Sequence, residues 1–90
     1  MLSYSPAKDD LMRRLRKIEG QVKGIQRMVD DEKYCMDILV QIAAVRAAIT
    51  KVGTIMLEQH TRGCVKAAIE GNKGDEMMEE LVGIIGKFMR

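Results

Sequence analysis

Cys35-Met36-Asp37-Ile38-Leu39-Val40-Gln41-Ile42-Ala43-Ala44-Val45-Arg46-Ala47-Ala48-Ile49-Thr50-Lys51-Val52-Gly53-Thr54-Ile55-Met56 is the stretch that decides the fold. Within it Cys35, Ile38, Ile42, Val45, Ile49, Val52 and Met56 recur three or four positions apart, the spacing of one helix face. No proline interrupts the chain from Tyr34 to Ile69, so the pattern predicts a single long helix over about 34–69. Gly53 and Gly63 lie inside it and each costs about 1 kcal/mol relative to alanine, enough to bend a helix but not to end it.

Upstream, Leu11, Leu15, Ile18, Val22, Ile25 and Val29 form a heptad-like stripe that requires a partner helix. Ser5-Pro6 followed by Asp9 and Asp10 has the character of a helix start, with Ser5 as cap, so a first helix is predicted over about 6–30. Asp30-Asp31-Glu32 is acidic where a helix C-terminus disfavours it, which places a short break near Asp30 to Lys33. Downstream, Gly71-Asn72-Lys73-Gly74 reads as a turn. Asp75, Glu76, Glu79 and Glu80 ahead of Leu81, Ile84, Ile85 and Phe88 predict a third, amphipathic helix over about 75–89.

The chain is thus expected to be all-α, a single domain over 1–90 with three helices. Ninety residues bury a modest core alone, which makes oligomerisation an expectation. No uninterrupted run of about 18 apolar residues occurs and the N-terminus lacks the basic-then-apolar order of a signal peptide, so a cytoplasmic protein without a membrane span is expected. A reducing cytosol disfavours a stable disulfide between the two cysteines. The eight methionines, including Met12, Met28, Met36, Met56 and Met89, are read as flexible packing, and Met77-Met78 likewise.

His60 is the only histidine, and Cys64 follows it by one helical turn, so both project from one face and can share an ion. Cys35 is the natural third donor by type, but it lies roughly 37 Å away along a helix rising 1.5 Å per residue. Two copies of the second helix paired antiparallel about an axis near residues 48 and 49 bring Cys35 of one chain beside His60 and Cys64 of the other. The small side chains Ala43, Ala44, Ala47 and Ala48 allow close approach there. Two thiolates and one imidazole form a soft three-donor set suited to copper(I), whereas zinc usually takes a fourth ligand and nickel(II) or cobalt(II) more nitrogen or oxygen. Either cysteine taken singly reads equally well as a core filler; the combination favours a metal.

Arg13, Arg14, Arg16, Lys17, Lys23 and Arg27 face one acid, Glu19, a local +5 in a chain of net charge +2. Such a face attracts phosphate by counterion release, although a solvated helix surface accounts for the charge run alone. No helix-turn-helix pattern is present, and two tyrosines with one phenylalanine are too few for single-strand stacking, so duplex DNA is the expected nucleic-acid partner. One histidine and no nucleophile, base and orienting group in combination argue against an enzyme.

Arg14-Leu15-Arg16-Lys17-Ile18-Glu19-Gly20-Gln21-Val22-Lys23-Gly24-Ile25 resembles the first-helix signature of the copper-sensing repressor family, and Cys35, His60 and Cys64 resemble the ligand pattern of its copper(I) branch. The resemblance extends along the whole chain. It implies dimers that assemble into a flat homotetramer with copper(I) between subunits, outer contacts to the site from Tyr34 and Glu80, and operator binding through basic side chains including Arg14 and Lys51. Where the family carries arginine, lysine stands at Lys17, Lys23 and Lys51, which removes the bidentate fork. Sister branches that sense nickel or cobalt, formaldehyde or sulfane sulfur differ at the ligand positions and near the N-terminus, where this chain has Ser3 and Tyr4. The function so implied is copper(I)-responsive repression, with the metal-free protein on double-stranded operator DNA and copper(I) releasing it. The alternatives are a same-fold sensor of another inducer, such as a persulfide or a different metal, and a copper buffer or chaperone without a DNA role.

Overall fold

The computed structural model describes residues 4–71 and 74–88. These form a short 3-10 turn, Ser5–Ala7, then α1 (Lys8–Asp30), α2 (Cys35–Ile69) and α3 (Gly74–Phe88). Among the described residues no strand occurs. The expected third-helix end at residue 89, Met89 and Ser3 lie outside the described residues.

The chain enters α1 differently from the reading above. Ser5 does not cap: it belongs to the 3-10 turn, Tyr4 precedes that turn without a side-chain cap bond, and Pro6 occupies the first turn. The proline's fixed φ suits a tight opening turn, and Lys8 continues it by donating its N–H to the Ser5 carbonyl.

α1 ends at Asp30 by a motif that consumes its last free carbonyls. Glu32 stands at φ +53, its N–H donates to the Val29 carbonyl at 3.1 Å, and the Lys33 N–H donates to the Met28 carbonyl at 3.0 Å. This pair of bonds with a left-handed residue between helix and exit is the Schellman arrangement, usually built on glycine. Tyr34 then opens α2, its carbonyl accepting from the N–H groups of Asp37 and Ile38. Neither Gly53 nor Gly63 interrupts α2, and Gly71, at φ +70, supplies the left-handed residue after it.

Packing divides the chain into two compact units, 9–52 and 53–90, the latter with the first eight residues. In the first, Leu11, Ile18 and Val52 are buried, while Leu15, Val22, Val29, Ile42 and Ile49 on the same stripes stay partly exposed. In the second, Cys64 and Leu81 are the buried side chains among the described residues.

α2 is apolar on more than one side. Met36, Leu39 and Val40 are more than half exposed, besides the expected stripe. A helix of this character ordinarily lies inside a larger assembly. By length and mean hydropathy, 1.6 over its most apolar window, α2 also reaches what a membrane span needs, despite Arg46 and Lys51. Packing against further helices would cover the same apolar surface without a bilayer.

Candidate metal centre and nucleic-acid face

Within the 53–90 unit α2 carries two candidate metal donors, and α3 holds one of them. His60 and Cys64 stand one turn apart on α2, the imidazole half-buried and the thiol nearly enclosed at 2% exposure. Nε2 of His60 lies 3.0 Å from the Met77 carbonyl oxygen on α3. A carbonyl oxygen only accepts, so Nε2 carries a proton and donates it, and in the neutral tautomer that this bond selects Nδ1 is the nitrogen with the lone pair a metal needs. A ligand histidine held through its second nitrogen is the ordinary arrangement at metal centres. Neighbouring polar groups do not compete: the Thr61 hydroxyl donates to the Leu57 carbonyl at 2.8 Å, and Arg62 pairs with Glu58 at 3.0 Å.

Cys35 is the first residue of α2, in the 9–52 unit, exposed and in no disulfide. Among the described residues of one protomer, no three histidine, cysteine or acidic side chains gather where an ion could sit. The chemistry of the donor set nonetheless suits a soft cation, with one thiol already desolvated and one imidazole nitrogen already selected.

Tyr34 is 68% exposed, and its carbonyl is committed to capping α2. Glu80 is exposed on α3, three residues beyond Met77. The hydrogen bond that holds the ring is accepted by the Met77 main-chain carbonyl. No sequence signal could have shown it, because a backbone acceptor is common to every residue and this one lies 17 positions from the histidine.

The basic residues of α1 fall into two groups. Arg13 and Arg14 both bond the Asp10 carboxylate, Arg14 through Nε at 2.9 Å. The Arg14 bond, then the Arg13 bond, holds the Asp10 carboxyl below its ordinary range. Arg16, Lys17 and Lys23 on α1 and Lys51 on α2 are exposed.

Residues 7–87 match the family described as "Metal-sensitive transcriptional repressor". The chain is 46% identical over 86 residues to the copper-sensing transcriptional repressor CsoR of Bacillus subtilis, covering 96% of this chain and 85% of that protein. It is 42% identical over 89 residues to the copper-sensing transcriptional repressor RicR of Mycobacterium tuberculosis, covering 97% and 93%. Among solved structures, the copper-sensing repressor CsoR with Cu(I) from Geobacillus thermodenitrificans superposes with a TM-score of 0.87 at 44% identity, over 96% of this chain and 90% of that one. The nickel-responsive transcriptional regulator InrS gives 0.78 at 36% identity, over 89% and 90%. The chain belongs to the metal-sensitive transcriptional repressor family. Its similarity to copper sensors spans both Cys35 and the His60–Cys64 pair.

Proposed function

We propose that this protein is a cytoplasmic copper(I)-responsive transcriptional repressor. Cys35 of one chain joins His60 and Cys64 of a second, antiparallel chain as the ligands, so that each dimer carries two identical sites. Two such dimers form the tetramer, and its basic residues, among them Arg13, Arg14, Arg16, Lys17, Lys23 and Lys51, face double-stranded operator DNA. Tyr34 and Glu80 lie around the completed site. The observation that carries the reading is the half-site itself: a buried thiol beside an imidazole whose Nε2 is already engaged. The copper-sensing names of the relatives support the choice of ion.

Copper(I) supplies the bonds that tie two chains together at this position, and the chain's own residues set how that tie acts on DNA. Drawing Cys35 to a second copy's α2 biases the packing of subunits, and with it the spacing of the α1 faces that meet phosphate. Operator DNA then weakens copper(I) binding by the same factor that copper(I) weakens DNA binding, typically about 1–3 kcal/mol for such couplings.

X-ray absorption of the copper(I)-loaded protein tests the ligand set, with two sulfurs and one nitrogen expected. Cys35→Ala is expected to retain DNA affinity and to lose release by copper(I). Release that persists in this variant rejects the ligand assignment. A gel shift with the DNA upstream of its own gene separates a repressor from a copper buffer, and mass spectrometry after treatment with inorganic polysulfide, whose sulfane sulfur oxidises the thiols and leaves as hydrogen sulfide, detects the Cys35–Cys64 polysulfide link that a persulfide sensor would form.

A further inference from the structure

Two glycines occupy the middle of α1 where nothing in the protomer requires them. A Cβ built on Gly20 meets no atom within 4 Å, and one on Gly24 meets only the Arg27 guanidinium, at 4.0 Å. Glycine is among the poorest helix formers, so two of them, one turn apart in an uninterrupted helix, weaken α1 without any internal return. Gly20 follows the buried Ile18 by two residues, which at about 100° per residue sets it on the far side of the helix from the core.

That far side is the basic one. By the same periodicity Arg13, Arg16, Lys17, Lys23 and Arg27 share it with Gly20 and Gly24, and all five cations are exposed. Between Arg13 and Arg27 this face holds no acidic and no apolar side chain. The helix main chain is therefore without side-chain cover of its own at these two positions, exposed at Gly20 and partly covered at Gly24, along a strip fenced by positive charge. An apolar ridge of another protein helix would find nothing apolar to pack on here, whereas a phosphate would find cations on both sides and no methyl group to hold it away.

Resting on the DNA-binding reading above, we propose that the Gly20–Gly24 notch is the seat of a duplex phosphate backbone, which lies directly against the α1 main chain between the flanking cations. The absent Cβ atoms shorten the distance from phosphate to the ring of charges, and Coulomb attraction rises as that distance falls. Glycine offers no side chain with which to read a base, so the contact positions the duplex and carries no sequence preference.

The test separates stability from binding, because the two must move in opposite directions. Gly20→Ala and Gly24→Ala are each expected to raise the thermal midpoint, as alanine is the better helix former. Each is expected to weaken DNA binding about tenfold, by equal factors for a duplex from the promoter of its own gene and for a scrambled duplex of the same length. Fluorescence anisotropy reads the affinities and sedimentation reads the mass. Unchanged affinity in a stabilised variant overturns the proposal, since the notch then touches no DNA. A changed mass with unchanged affinity per assembly overturns it in favour of a second copy, such as an acidic α3, seated in the notch. If the unsubstituted protein binds neither duplex, it is the repressor reading that fails.

Discussion

The two cysteines sit in opposite surroundings although one helix carries both. At the start of α2, Cys35 is exposed and lies in the 9–52 unit; near its end, Cys64 is almost fully covered in the 53–90 unit, with His60 one turn before it and α3 touching that histidine. The second region is a candidate half-site within a single chain, where the thiol is buried and a main-chain acceptor holds the imidazole. The first is a donor without a setting. If the proposed site is assembled from this prepared half and that loose ligand, it responds to the pairing of chains as well as to the ion, which is what a sensor needs and a storage site does not.

The strongest way to break this contrast is through the core of the prepared half. Leu81 is 7% exposed on α3, and Leu81→Ala is expected to cost about 2–5 kcal/mol in urea unfolding through the lost burial and the cavity left behind. A loss below that range would show that α3 is not anchored there. Next, Cys64→Ser and Cys35→Ser pit the two surroundings against each other. The hydroxyl at 64 is buried and is expected to cost about 1–3 kcal/mol, whereas the exposed change at 35 should stay within about 0.5 kcal/mol. Equal losses in metal-free protein would remove the asymmetry.

Smaller effects sharpen the picture of the 9–52 unit. Glu32 pays a conformational penalty at φ +53, so Glu32→Gly is expected to stabilise by about 1 kcal/mol and leave the His60 ring unmoved. Thermal melts, with the nitrogen-15 spectrum of the single histidine, check both parts. The smallest effect is electrostatic. Because Arg14 and Arg13 hold the folded Asp10 carboxyl below its unfolded value, its contribution is fully present above the unfolded value and fades as pH falls through the lower folded one. Asp10→Asn is expected to flatten the acid limb of a plot of thermal midpoint against pH, and superimposable acid limbs would deny the pairing in solution. The pair is at the surface, where solvent screens it.

The helices were legible because their signals are local and periodic. The stripe from Leu11 to Val29 and the proline-free span from Tyr34 to Ile69 became α1 and α2 to within a residue or two. The start of α1 was less legible, since Ser5 and Pro6 also suit a 3-10 turn, and α3 begins at Gly74, which composition alone assigns to the preceding turn. The strained Glu32 carried no sequence mark, because left-handed ends announce themselves only when glycine occupies them. At the site, His60 and Cys64 were readable as an i, i+4 pair on one helix. The Met77 carbonyl was not, being a main-chain atom brought in by tertiary packing, and the place of Cys35 depends on a second chain.

The apolar surface of α2 has a consequence for how much protein there is as well as for its shape. Where folding and association share one surface, the melting point climbs with concentration, and a chain below its assembly threshold shows Met36, Leu39 and Val40 to water, to chaperones and to proteases. A cell would then hold few stray single copies. Dose and quality control would be set by the same helix that carries both thiols.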